Sequence, residues 1–302
     1  MKRYFLNIIS FFAIVAGIDF CVGWSGDYLQ AHAKGGDSKR TNDLVMNDYH
    51  DIVILGSSRA HHHYDTPFLS DTLGLDVYNA GYNGNGVVLA CGLLEMILEH
   101  YHPKLVLFDV EPAFDIEIYP NDNAHKRYLS FLKPYYKQKN VGEIIYDVSP
   151  EEWYKVHSGL LRYNSSFVSL LIYNFKIDRN NATRGYAPLL GSYSKDPEIG
   201  QNNEMEVDTF KLAYAEKLIQ ISQVHQVPIV FVGSPKLGMT SSKPLQPIID
   251  ICNKNQVPFL DYYANSEFMQ HKEWFKDPMH LNADGAKLFS ERIISDINVF
   301  LQ

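Results

Sequence analysis

Two short stretches of this chain carry residues able to act together as a nucleophile and its base. Gly56-Ser57-Ser58-Arg59 directly follows the apolar run Asp51-Ile-Val-Ile-Leu55. A hydroxyl at the carboxyl end of a buried strand faces the crevice where open α/β sheets bind substrate, and glycine permits the tight turn that exposes it. Far along the chain, Asp277-Pro278-Met279-His280 precedes the last helical stretch. Serine attack on a carbonyl needs a base, and an imidazole needs an acidic partner to hold its tautomer and stabilise the imidazolium. An aspartate and a histidine three residues apart on one loop can meet at the ring's far nitrogen. Ser58, His280 and Asp277 are therefore a candidate catalytic set, although each stretch alone also reads as a plain turn or loop.

A third stretch, Asn79-Ala-Gly-Tyr-Asn83-Gly84-Asn85-Gly86, is glycine-rich and follows another short apolar run. Acyl transfer needs backbone N–H groups aimed at a developing oxyanion, and such a loop can approach closely enough to supply them; a flexible turn into a helix is the plainer alternative. Arg59, His62 and Glu111 are candidate substrate contacts. Against them stand a simple salt bridge for Arg59, surface or helix-start positions for His61-His62-His63, and strand-end hydrogen bonding for Asp109 and Glu111. Three adjacent histidines rarely converge on a metal, no other metal-ligand spacing is present, and no cofactor is expected.

The elements that must position these residues alternate. Short apolar runs at residues 51–55, 75–78, 104–109, 227–232 and 257–261 read as strands, and helical periodicity falls between them at 87–100, 208–225 and 245–253, with a closing helix at 282–301. Parallel strands need crossover connections, so the series predicts a three-layer α/β/α, doubly wound, mainly five-stranded parallel sheet. Residues 113–205 are too long for a simple connection. They read as a helical insertion from the carboxyl end of the third strand, either a lid or substrate platform or an appendage apart from the site.

Composition narrows the partners. Of 302 residues 46% are hydrophobic and 21% charged, which excludes disorder and a multi-span membrane protein. A formal charge of −8 without a basic stripe gives no grip on nucleic acid. Lys2 and Arg3 precede an apolar stretch from Phe5 to Trp24 broken only by Asn7, Ser10 and Asp19. That is close to the ~20 residues of a single helical span, and the charges orient its start toward the cytoplasm with the remainder exported. Residues 1–25 are thus read as an anchor, 26–48 as a polar tether, and 49–302 as the folded domain. Ala31-His32-Ala33 has the form of a signal-peptidase site, but it lies far beyond the apolar run, which favours an uncleaved anchor. Cys21 sits inside the anchor, and Cys91 and Cys252 read as small buried hydrophobes.

In this order the three motifs resemble the SGNH/GDSL hydrolase superfamily of esterases, lipases and carbohydrate acetyl-esterases or acetyltransferases, over about residues 51–301 without the insertion. The resemblance implies Ser58 as nucleophile, His280 as base and Asp277 as its orienter. It also implies an oxyanion hole from the backbone N–H groups of Ser58 and Gly84. The chain departs from the family at its third block, where Asp109-Val110-Glu111-Pro112 replaces Gly-x-Asn-Asp, so Asn83 or Asn85 would have to supply the missing donor. Anchored relatives imply a bacterial inner-membrane protein whose periplasmic domain cleaves or transfers a small acyl group, acetyl, on a cell-envelope glycan, often beside a membrane O-acyltransferase. The alternatives are a catalytically degraded scaffold for such an acyltransferase and a flavodoxin-like nucleotide binder. The last is opposed by the missing GxGxxG register and Walker lysine.

Overall fold

The computed structural model describes residues 1–118, 125–175, 183–195 and 206–301. It begins with helices α1 (Lys2–Ala31) and α2 (Gly36–Asn42), strand β1 (Ile52–Gly56), helices α3 (Ser58–His63) and α4 (Thr66–Leu73), and strand β2 (Val77–Gly81). Helix α5 (Val87–His100) and strand β3 (Leu105–Asp109) lead into α6 (Pro112–Asp115), α7 (Lys139–Val148), α8 (Pro150–Lys155), α9 (Gly159–Arg162) and α10 (Phe167–Phe175). The chain continues through α11 (Thr209–Val224), β4 (Ile229–Gly233), α12 (Gln246–Lys254), β5 (Phe259–Asp261) and α13 (Ser266–Met269). It closes with the short strands β6 (Phe275–Asp277) and β7 (His280–Leu281) and helix α14 (Ala283–Ile297).

The chain divides into two units, one built from Leu44–Asp122 with Asn180–Gln302 and one from Met1–Asp43 with Asn123–Arg179. The first is a three-layer α/β unit. Its five strands are all parallel in the order β2-β1-β3-β4-β5. Strands β1 to β4 are buried along their whole length, which is why they do not alternate apolar with polar residues; their only polar side chains, Asn79 within β2 and Asp109 at the end of β3, are themselves buried. Ile52, Ile54, Leu105, Leu107, Val230 and Val232 face a layer that holds Leu69 of α4 and Phe289 and Ile293 of α14. The alternate residues face the layer where α5 and α11 pack together, with Phe108 and Phe231 in edge-to-face contact at 5.2 Å.

This strand order puts the first crossover on one side of β1 and the second on the other, so a crevice opens where the carboxyl ends of β1 and β3 diverge. The strand read at residues 75–78 lies slightly later, at Val77–Gly81, because pairing with β1 begins at Ile52↔Val77. Residues 183–195, read as part of the insertion, belong to this unit. Asn79 N–H donates to Arg184 O at 2.9 Å on the outer edge of β2, and Ala283 N–H donates to Leu189 O at 2.9 Å.

The second unit is helical, and it corrects the expected tether. Residues 26–48 are mostly helix: α1 runs unbroken to Ala31 and α2 follows. Their polar side chains find partners that only the distant insertion supplies. Gln30 Nε2 donates to the Tyr135 hydroxyl at 3.0 Å, which donates to Asn42 Oδ1 at 2.6 Å, while Asn42 Nδ2 returns to Gln30 O at 2.6 Å. Asp19, the one charge in the apolar run, accepts from the Ser158 hydroxyl and from the N–H groups of Gly159 at 3.2 Å and Leu160 at 2.9 Å. Close helix contact requires glycine here, since a Cβ on Gly159 would lie 2.3 Å from Gly23 N.

Candidate active site

Strand β1 has to end in glycine. Gly56 has a φ of 141°, and a Cβ there would sit 2.7 Å from the Asp109 carbonyl oxygen. The chain then turns into α3, capped by Ser57, whose Oγ accepts from Arg59 N–H at 3.4 Å. Ser58 is the first residue of that helix and is partly exposed at the mouth of the crevice.

Asp277 and His280 face each other across the β6–β7 hairpin. Its turn is set by the aspartate, whose Oδ1 accepts from Met279 N–H at 2.8 Å and His280 N–H at 3.0 Å. The same carboxylate meets His280 Nδ1 at 3.0 Å, and His280 Nε2 lies 2.8 Å from Ser58 Oγ. A carboxylate can only accept, so the neutral ring carries its proton on Nδ1 and offers Nε2 to the serine hydroxyl. Burial pushes the Asp277 carboxyl up, but the hydrogen bond and charge of His280 and the two backbone amides outweigh it and hold the group below its ordinary value. A hydroxyl, an imidazole and an ionised carboxylate thus stand in series, the arrangement needed to remove a proton from Ser58 during attack on a carbonyl.

The next residue of α3 points inward. Arg59 is 0% exposed and Glu111 1% exposed, so these two candidate substrate contacts lie buried beneath the crevice rather than on its surface. Arg59 Nη1 donates to Glu111 Oε2 at 3.0 Å. Its Nε and Nη2 donate to Ser234 Oγ at 3.2 and 3.0 Å, and Nη2 also to Ser234 O. Asp109 is buried beside them and accepts from the Tyr64 hydroxyl at 2.6 Å. Burial pushes its carboxyl up to about 6 against the pull of Arg59 and of Tyr64.

The histidine run is buried as well, not on the surface, with none of the three more than 9% exposed. His63 Nε2 accepts from Leu281 N–H at 3.0 Å, so its proton lies on Nδ1 and is donated to Ser234 Oγ at 2.9 Å. Burial, reinforced by the Arg59 charge, drives its pKa well below the ordinary imidazole value and keeps the ring neutral. His63 therefore ties the helix that bears Ser58 to the strand that bears His280. His62 Nδ1 donates to Ala187 O at 2.6 Å, and its ring stands edge-on to His280 at 5.6 Å between centroids. His61 lies against His62 at 4.7 Å.

Gly84 lies in the turn between β2 and α5. Of its neighbours, Asn83 is exposed, whereas Asn85 is buried and donates its side-chain amide to Asn83 O at 3.0 Å. Three contributors escaped the reading of the sequence: His63 as a brace, Ser234 and Ala187. Ser234 had a signal, since Gly233-Ser234 follows β4 as Gly56-Ser57 follows β1. Ala187 had none, because only its backbone takes part.

No family model and no curated protein matches this chain. Among solved structures, an inferred acylhydrolase from Bacteroides fragilis aligns at 12% identity over 87% of this chain and 95% of its own, with a TM-score of 0.42. A protein from Streptococcus pneumonia, described as an inferred platelet activating factor, aligns at 13% identity over 94% and 99%, with a TM-score of 0.41. Likeness at this distance says nothing of the reaction or the substrate.

Proposed function

We propose that this chain is a membrane-anchored serine esterase or O-acyltransferase of the SGNH type, acting on acyl esters, with acetyl as the group transferred, of a cell-envelope glycan. The observation that carries the proposal is the unbroken series from Ser58 Oγ through His280, 2.8 Å away, to Asp277. Ser58 attacks the ester carbonyl while His280 Nε2 takes its proton. The tetrahedral oxyanion is held by the N–H groups of Ser58 and Gly84, with Asn83 as the side-chain donor on that rim. Collapse expels the alcohol, which takes the proton back from His280, and leaves an acyl-serine. Water releases the acyl group in hydrolysis, and a glycan hydroxyl takes it in transfer. Glu111, standing where an oxyanion donor is expected, does not oppose this chemistry because its charge is spent on Arg59.

Among the described residues, one helix, Lys2–Ala31, is long and apolar enough to cross a membrane. Its second half is a structural helix of the folded helical unit through Asp19, Asp27 and Gln30, so cleavage after Ala33 would remove part of that unit. The anchor is accordingly proposed to be retained, with the three-layer unit exported to the periplasm. Intact mass of the membrane-extracted protein checks this; loss of the first 33 residues refutes it.

The activity is tested on the full chain in detergent with a chromogenic acetyl ester and a serine-reactive phosphonate. Turnover and labelling that both vanish in Ser58→Ala support the enzyme. Neither turnover nor labelling in the parent chain would leave the second reading, a degraded scaffold for a membrane acyltransferase, which the Asp109-Val110-Glu111 departure favours.

A further inference from the structure

Resting on the reading of α1 as a retained anchor, we infer that α9 and α10 form an apolar platform seated in the boundary of one lipid leaflet beside α1. From Gly159 to Phe175 the chain carries a single charge, Arg162, and it is turned inward onto Asp27 at 2.9 Å. Outward this stretch shows no charge: its exposed side chains are apolar ones together with the uncharged Asn164, Ser165 and Ser169. On α10, Val168, Leu171, Ile172 and Phe175 are exposed, Val168 at 68% and Phe175 at 83%, while Leu170 on the opposite face is buried. The spacing i, i+3, i+4, i+7 is that of an amphipathic stripe, which a helix covered only by protein would turn inward. On α9, Leu160 and Leu161 are exposed too.

The level of this surface along α1 is fixed by specific bonds within the helical unit. Leu160 N–H is held by Asp19, the Tyr163 hydroxyl by Asp27 at 2.7 Å, and Asn174 Nδ2 by Leu29 O at 2.9 Å. The stripe therefore runs beside the Asp19-to-Leu29 part of α1. The run from Tyr4 to Ile18 gives only about 21 Å of helix at ~1.5 Å per residue, short of the ~30 Å hydrocarbon layer. The span must then extend toward Trp24, which places α9 at the last turns inside the bilayer and α10 at the exit. Trp24 and Tyr28 are exposed at the same level and stack at 6.2 Å, as an interfacial aromatic belt requires. Asp19 would be costly in such a span, and its three donors from α9 and the residue before it are what make it tolerable.

The test uses the full chain in lipid nanodiscs on a Cys21→Ser background, since Cys91 and Cys252 are buried. A fluorophore is placed in turn at Leu161→Cys, Ile172→Cys and Phe12→Cys and read against brominated lipid and against aqueous iodide. All three of these positions and Cys21 are exposed, so folding is not at risk. The expected result is loss of emission to brominated lipid at positions 161 and 172 as well as 12, with protection from iodide. Quenching by lipid at 12 alone, with 161 and 172 open to iodide or shielded from both quenchers, overturns the platform and leaves the anchor standing. No lipid quenching at 12 overturns the anchor, and the platform with it.

Discussion

The outward and inward sides of α3 put similar residue types to opposite uses. Outward, Ser58 meets a histidine and a carboxylate that are both partly in solvent, the side chains of His280 and Asp277 being 22% and 44% exposed. Inward, Arg59 and His63 meet Ser234 and Glu111, with Asp109 alongside, all buried. Both groups of residues are hydrogen-bonded, yet only the outward one can exchange protons with a ligand. The difference teaches that acid, base and serine make a site only where substrate can reach them. The same types enclosed in protein become a clamp that fixes the distance between the strands carrying the outer set.

That contrast can be broken most sharply at Ser58. Ser58→Ala is expected to lower kcat on an acyl ester by roughly 10⁴- to 10⁶-fold while leaving the unfolding temperature unchanged, read by ester turnover and a thermal melt. A loss of stability instead would mean that Ser58 belongs to the clamp.

Asp277→Asn should cost about 10²- to 10⁴-fold in kcat with KM little altered, because the amide no longer selects the required imidazole tautomer. An unchanged kcat would remove Asp277 from the proposed series.

Arg59→Met tests the inward side. It leaves the Glu111 carboxylate buried without its cation, a change worth about 3–5 kcal/mol of stability in comparable cases. The double change Arg59→Met with Glu111→Leu should recover most of that loss. Equal melting temperatures for parent and single variant would show that the pair is not a clamp.

The smallest effect concerns pH. Asp109 has its folded-state pKa raised from 3.8 to about 6, chiefly by burial, so the folded chain favours the protonated acid. Its contribution to stability is complete below the unfolded value and is lost as pH rises through about 6. Asp109→Asn should flatten that part of the melting profile without shifting the pH dependence of turnover. A parallel shift in both profiles would join the two sides into one titrating system.

The chain by itself determined the α/β class, because five apolar runs separated by helical periods admit few arrangements other than a parallel sheet with crossovers. It also set the local geometry of Asp277 and His280, which lie within one hairpin and need only a turn to meet. Tertiary structure alone decided which way each side chain of Gly56-Ser57-Ser58-Arg59 points, since packing around α3 leaves Ser58 partly exposed and encloses Arg59. It decided likewise that three adjacent histidines are buried, and that polar residues after the apolar helix are ordered rather than a tether. In each case the partner lies far away in sequence, Ser234 for Arg59 and His63 and Tyr135 for Gln30 and Asn42. Local pattern reports how much apolar surface a segment can bury, whereas the satisfaction of a buried polar group depends on a donor or acceptor that only the folded chain brings within reach.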